Sequence, residues 1–477
     1  MERHRMLVGG AWRAATDDIP VTDPSDGSII AAIARGTAAD IDSAVRAAED
    51  ALRGPWGRFT ALDRGRLLTR LSTVILDHGE ELARIEAADV GKPLRQARAD
   101  VVACARYFEF YGGAADKIHG TTIPFRDGYT VLTLREPHGV TGHIIPWNYP
   151  LQILGRSIGA ALAMGNACVL KPAEDASLSA LAIGRFACEA GFPDGAFNIV
   201  TGYGGEAGAA LAEHPGVHHV SFTGSVAVGR LIEAAASRHT VPVTLELGGK
   251  SPQLVFVDAD LDAALPFVVN AAIQNAGQTC SAGSRVLIED DVYDTFVARI
   301  AERFRALRAG PAMADLDLGP VINARQKERI GSYVARARAD GLTILAEGSV
   351  DGQAPVRGNY VAPVLIGDVP PEHAVAQEEI FGPVLVAIRV RDEDHAAEIA
   401  NGTPYGLVAG VWTRDGARQL RLARRLRAGQ VFINDYGAAG GVELPFGGVG
   451  CSGFGREKGF EALYGFSTTK TVAIRHG

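Results

Sequence analysis

Cysteine is scarce in this chain of 477 residues, which holds only Cys104, Cys168, Cys188, Cys280 and Cys451. Their number is odd and no two stand at metal-ligand spacing, so neither a disulfide framework nor a metal site is expected. Free thiols point instead to a reducing, cytoplasmic setting. No uninterrupted apolar run is long enough to span a bilayer, and residues 1–10 contain no apolar core of signal-peptide length. Basic charge is not in excess either, since 47 Lys and Arg face 55 Asp and Glu, a formal net charge of −8. That balance disfavours nucleic-acid and membrane-surface partners. Internal repeats and low-complexity linkers are also missing. What remains is a globular composition, 47% hydrophobic, at a length that implies more than one lobe.

The middle of the chain alternates strand and helix signals. Residues 167–170, 197–200, 220–222 and 241–247 read as strands, with helical spacing from 177 to 190 and from 225 to about 237. Repeated βα units of this kind predict an α/β fold with a parallel sheet between helices. A second block begins near Ser251, with a strand at 254–257. Leu261, Leu265, Val268, Ala272 and Ala276 then recur at helical spacing, and Gly277 is the expected C-cap. Two α/β lobes with an active site between them follow. Residues 129–135 and 467–475 alternate like strands outside this pattern. Such strays suit addition to a neighbouring subunit's sheet, hence an oligomer.

Three short motifs carry chemistry: Pro146-Trp147-Asn148, Leu245-Glu246-Leu247-Gly248-Gly249-Lys250 and Gly277-Gln278-Thr279-Cys280-Ser281. Singly, each has an ordinary reading, as a turn asparagine, a strand carboxylate and a core thiol. Together, a thiol, a carboxylate and an amide donor suit covalent catalysis on a carbonyl. The glycines after Glu246 let other groups approach closely. Two glycine motifs compete for a phosphate. Gly202-Tyr203-Gly204-Gly205-Glu206-Ala207 fits a dinucleotide fingerprint, but no acidic residue closes the following strand. The rival is Thr223-Gly224-Ser225 at a strand-to-helix junction, with Gly229 one turn on. Lys171 and Glu174, just past a strand end, suit ribose hydroxyls. His214, His218 and His219 are interrupted by Pro215-Gly216, so no metal is expected there, and the Arg-rich stretch 418–427 reads as a solvated helix face.

With Lys171-Pro172-Ala173-Glu174, Glu379-Ile380-Phe381-Gly382-Pro383 and Pro445-Phe446-Gly447-Gly448 added in order, the chain resembles the aldehyde dehydrogenase superfamily over nearly its whole length. The resemblance implies a Rossmann-like cofactor domain (1–118 and 138–248) and an α/β catalytic domain (249–448). It also implies a small β oligomerisation element with a C-terminal arm (119–137 and 449–477), in a homodimer or homotetramer. Cys280 would be the nucleophile, Asn148 the oxyanion donor and Glu246 the base for thioester hydrolysis. Trp147, Lys171, Glu174, Gly224, Ser225, Gly229, Glu379 and Phe381 would contact the cofactor, making the Gly202 fingerprint a decoy. Arg156 and Phe446 would face the substrate.

Glu246 favours hydrolysis to a free acid over acyl-CoA formation. Glu174 would repel a 2′-phosphate, which favours NAD over NADP. Arg156 resembles the arginine with which semialdehyde dehydrogenases grip a carboxylate. The second arginine of those enzymes is replaced here by Gln274, and pairing of Arg156 with a protein acid is the alternative. The small-residue loop 434–441 suggests a roomy entrance. Alternative readings are a thiol esterase on the same site, a non-enzymatic binding protein on this fold, and a nucleic-acid binder through the Arg-rich helix.

Overall fold

The computed structural model describes residues 2–477. Two sheets organise the chain. In the first, strands run in the order Gly453–Phe454, Val243–Glu246, His219–Thr223, Val140–Ile145, Ala167–Pro172, Phe197–Ile199, Met6–Val8 and Ala11–Arg13. The five from Val243–Glu246 to Phe197–Ile199 are parallel. Val140–Ile145, Ala167–Pro172 and His219–Thr223 are buried along their whole length, as a parallel sheet covered on both faces requires. The chain steps from Val140–Ile145 outward on one side through Ala167–Pro172. It then returns to the other side at His219–Thr223, creating a switch point where loops diverge beyond the strand ends.

The second sheet has the order Thr343–Glu347, Val364–Gly367, Val384–Val390, Arg285–Glu289, Pro252–Val255, Val408–Trp412 and Gln430–Ile433, parallel except for its first pair. Each sheet has its own apolar core. A third, small cluster of Leu407, Val408 and Phe446 lies between them, with Cys280, Phe432 and Tyr436 packed against it. Residues 247–251 connect Glu246, at the C-terminal edge of the first sheet, to Pro252, at the start of a strand of the second. The edge where strands of one sheet end therefore faces the edge where strands of the other begin.

Sequence expectations and structure part at several places. The central strand Val140–Ile145 is absent from the sequence reading, because Gly142 and His143 interrupt its apolar run. The helix expected to reach Ala276 ends at Ile273 and passes into a tight turn, Gln274–Gly277, where Asn275, Ala276 and Gly277 all have positive φ. Ser467–Arg475 and Tyr129–Pro137 are strands as expected, and they pair with each other in antiparallel register, leaving Ser467–Arg475 as a sheet edge. The stretch 449–466, expected in the C-terminal arm, instead adds Gly453–Phe454 to the first sheet and folds over Glu246. In the helix Gly416–Arg425, Arg418, Arg421 and Arg425 pair with Asp258, Glu393 and Asp394, so its basic face is largely neutralised. Among the described residues no helix is long and apolar enough to cross a membrane.

Candidate active site

Cys280 follows the Gln274–Gly277 turn, whose left-handed residues are rare outside glycine. Fixed bonds hold that turn. Asn275 donates its backbone N–H to Gln96 Oε1 at 3.0 Å and its side-chain amide to the Asn148 carbonyl at 2.8 Å. Gly277 admits no side chain, since a Cβ would lie 2.1 Å from the Gly382 carbonyl oxygen. In return Asn148 Nδ2 donates to the Gln278 carbonyl at 2.9 Å, so the two motifs clasp each other across the seam. One hydrogen of that amide remains for another acceptor. Next door, the Tyr149 hydroxyl bonds Thr279 Oγ1 at 2.9 Å. The Tyr149 ring lies 4.2 Å from the ammonium of Lys92, itself buried and paired with Glu86 and Asp100.

Glu246 ends its strand beside the same seam and is buried, with no protein hydrogen-bond partner for either carboxyl oxygen. Burial pushes its carboxyl well above the usual carboxylate range. The Glu457 charge adds to this, while Arg156, Arg456 and Lys458 oppose it. The glycines expected to permit close approach do so. A Cβ on Gly248 would sit 2.2 Å from Glu379 Oε2, and one on Gly249 would sit 2.7 Å from the Cys280 carbonyl oxygen. Gly249 N–H donates to Glu379 Oε1 at 3.1 Å, and burial lifts the Glu379 carboxyl to about 6. Burial also pushes the Cys280 thiol up to about 11, with Arg156 pulling it down and Glu246 and Glu379 adding to the rise.

Two cavities meet at Cys280 and Asn148. One, of about 750 Å³, lies beyond the switch-point strand ends and is also lined by Trp147, Lys171, Glu174, Gly224, Ser225, Glu246, Glu379 and Phe381. Lys171 Nζ donates to Glu174 Oε2 at 2.9 Å. Burial alone would raise the Glu174 carboxyl, but Lys171 and backbone N–H groups hold it below its ordinary value. Ser225 caps the helix Val226–Ser237, whose N-terminus borders the cavity. Trp147 and Phe381 meet edge to face, centroids 5.5 Å apart. Gly204 and Gly205 of the rival fingerprint line the same cavity, while Glu206 turns away to pair with Arg35. Gly229 is off the wall, contrary to expectation. A Cβ there would be 2.6 Å from Leu247, so the glycine serves close packing of helix on strand.

The second cavity, of about 660 Å³, reaches Cys280 and Asn148 by another route. Tyr149, Gln152, Ile153 and Arg156 line it from one face of the helix Pro150–Ala163 and its cap, at helical spacing. Gly437, Gly440, Gly441, Val442, Glu443 and Phe446 also line it. Arg156 is not a free cation. Its guanidinium forms a buried ion pair with Glu457 and lies 4.9 Å from the centre of the Phe446 ring. Pairing with a protein acid, the alternative left open by the sequence, is thus realised. Glu457 also accepts from Ser221 Oγ at 3.0 Å. Sequence reasoning missed Glu457 and its neighbour Lys458. The signal was a charged run, Arg456-Glu457-Lys458, set between glycines.

The whole forms a two-lobed α/β protein whose half-buried thiol stands where two cavities join. Comparison with known proteins identifies the class. The sequence profile of the aldehyde dehydrogenase family matches residues 12–472. Hydroxyisobutyraldehyde dehydrogenase of Mycolicibacterium austroafricanum is 43% identical over 473 residues, covering 98% of this chain and 93% of that protein. A crystal structure from Burkholderia cenocepacia, provisionally described as an aldehyde dehydrogenase, superposes with a TM-score of 0.99 at 66% identity. It covers 99% of this chain and 100% of its own. An NAD+ complex of aldehyde dehydrogenase from Bacillus cereus gives 0.96 at 38% identity, covering 100% and 97%. The chain belongs to the aldehyde dehydrogenase family.

Two outcomes follow from this geometry. Iodoacetamide labelling of Cys280, followed by peptide mass spectrometry on the cofactor-free protein, should keep accelerating with pH towards about 11. A plateau reached near 9, the ordinary thiol value, would contradict burial as the controlling factor. Removing one partner of the Arg156–Glu457 pair should cost about 3–5 kcal/mol, because the other charge is left buried and alone. Denaturation of Arg156→Leu, Glu457→Leu and the double variant measures this. The double variant should be markedly more stable than the two single losses added together, and simple additivity would show no coupling.

Proposed function

We propose that this protein oxidises an aldehyde to a free carboxylic acid with NAD as the hydride acceptor. The observation that carries this reading is the junction of the two cavities at one thiol. Attack by the Cys280 thiolate, formed as the thiol gives its proton to solvent, converts the aldehyde to a thiohemiacetal, and the free hydrogen of the Asn148 amide, with the Cys280 backbone N–H, stabilises its oxyanion. When bound, the cofactor supplies an acceptor for the hydride that leaves the former aldehyde carbon. Glu246 then takes a proton from the water that attacks the resulting thioester; burial raises its pKa, so its carboxylate is a stronger base than a solvated one. Lys171 and Glu174 suit ribose hydroxyls, the Ser225-capped helix start suits the pyrophosphate, and Glu379 and Phe381 border the end nearest Cys280. The carboxylate of Glu174 in a narrow polar corner favours NAD over NADP. Arg156 shapes the substrate side through its pair with Glu457, and Phe446 forms apolar wall.

The open edge strand Ser467–Arg475 suits addition to another copy's sheet, and we read the working form as a homodimer or homotetramer. The free thiols, and the lack among the described residues of a helix long and apolar enough to cross a membrane, suit a cytoplasmic enzyme. A thiol esterase on this site would have no use for the first cavity, so dependence on NAD separates the two chemistries. Cys280→Ala should abolish both NADH and acid formation while the fold persists; retained turnover would place the nucleophile elsewhere. Asn148→Ala should lower kcat by about 10²–10³, the usual loss of one oxyanion donor. Steady-state NADH absorbance checks both, and an unchanged kcat in Asn148→Ala would remove its assigned role.

A further inference from the structure

Five charged side chains line the second cavity: Asp100, Arg106, Arg156, Glu443 and Lys458. Four of them are spent within the protein. Asp100 pairs with Lys92, Arg106 with Glu443, and Arg156 with Glu457. Lys458 takes part in none of the ion pairs among the described residues. Its ammonium donates to the Gly440 carbonyl at 2.9 Å and lies 5.6 Å from the Phe446 ring centre and 5.9 Å from that of Tyr107. An ammonium has three donors, and one backbone acceptor leaves it under-used. The backbone at Lys458 is also strained, with φ 62 and ψ 168, a combination that belongs almost entirely to glycine. Strain of this kind persists where the surroundings enforce it, and it gathers at ligand sites.

We propose that Lys458 is a specificity-determining residue that binds an anionic group, a carboxylate above all, on the tail of the aldehyde. This deepens the dehydrogenase reading and rests on it. It also reassigns the anion contact. The resemblance points to Arg156, but that charge is already matched by Glu457, whereas Lys458, lining the same cavity, has no ion-pair partner among the described residues. An anion entering this partly apolar cavity would replace lost hydration with a charge-assisted bond to the ammonium. A neutral aldehyde gains nothing from it. Burial, aided by Arg156, lowers the Lys458 ammonium to about 8, against the opposing influence of Cys280, Glu457 and Glu246. Tyr107 and Glu443 also face it across the cavity. Because lysine carries its charge below its pKa, a preference for acids should fade as pH rises through about 8.

The test compares KM for 4-oxobutanoate and 6-oxohexanoate with KM for butanal and hexanal, by NADH formation with saturating NAD. The wild type should favour at least one acid over its neutral counterpart. Lys458→Met should raise the ratio of KM for that acid to KM for its neutral counterpart by about tenfold, the effect of one charge-assisted hydrogen bond. Lys458→Arg should keep the preference and hold it beyond pH 8, because arginine does not titrate there. Lys458→Gly relieves the backbone, so it should lose the preference without loss of thermal stability. Neutral aldehydes in every arm correct for titration of Cys280 and Glu246. Turnover of the neutral pair with no preference for acids, or equal effects of Lys458→Met on all four aldehydes, would overturn the assignment. No NADH from any aldehyde would instead bring down the dehydrogenase reading beneath it.

Discussion

A half-buried thiol and a buried, unpartnered carboxyl share one seam between two sheets, and the surrounding structure is organised around keeping them there. Burial disfavours the charged forms of both Cys280 and Glu246. A stray charge nearby would either neutralise Glu246 or drive it further from ionisation. The protein meets this by pairing most of the charges around the centre, with Lys458 an exception. Arg156 is bound to Glu457, and Lys92 to Glu86 and Asp100. Backbone contacts then set the positions. Gly248, Gly249 and Gly277 carry no Cβ where Glu379, the Cys280 carbonyl and the Gly382 carbonyl press in. The hydrogen bonds from the side-chain amides of Asn148, Asn275 and Gln278 to one another's carbonyls tie the facing edges together, so the nucleophile and its donor are placed by the same contacts that join the lobes.

This arrangement gives each cavity one boundary in common and otherwise different walls. The first is bounded by strand ends, a helix start and a polar corner at Lys171 and Glu174. The second is bounded by a buried helix face, aromatic rings and a loop of small residues. A reaction at Cys280 can therefore draw one reactant from each side. The division also separates the demands on sequence. Residues at the shared boundary must satisfy chemistry and packing together, whereas the far wall of the second cavity is free to set the choice of aldehyde.

The legible parts of the sequence were those where local pattern and tertiary environment agree. The strand Ser467–Arg475 alternates as an extended chain does and pairs edge to edge with Tyr129–Pro137, and the helix Leu178–Ala190 ends at a left-handed glycine. Cys280, Glu246 and Asn148 stood out because glycine or proline frames each motif, and the frames have a steric cause in the fold. Other features arise only from distant contacts. The strand Val140–Ile145 is buried from end to end despite Gly142 and His143, because neighbouring strands and helices cover it. Gly229 resembled part of a phosphate motif but answers to Leu247. Glu457 and Lys458 are adjacent in sequence yet have opposite fates, one matched by Arg156 and the other left facing the cavity. No local periodicity distinguishes them, since partners far along the chain decide.

The central claim is that hydrolysis of an acyl group on Cys280 depends on the carboxylate of Glu246. Rapid-quench mass spectrometry of Glu246→Gln, mixed with NAD and an aldehyde it oxidises, tests this most directly. The account predicts one equivalent of NADH formed in a burst, with the mass of the acyl group retained on the Cys280 peptide and little acid released. Steady acid release at the wild-type rate, with no acylated Cys280 peptide accumulating, would contradict it and assign the base to another group.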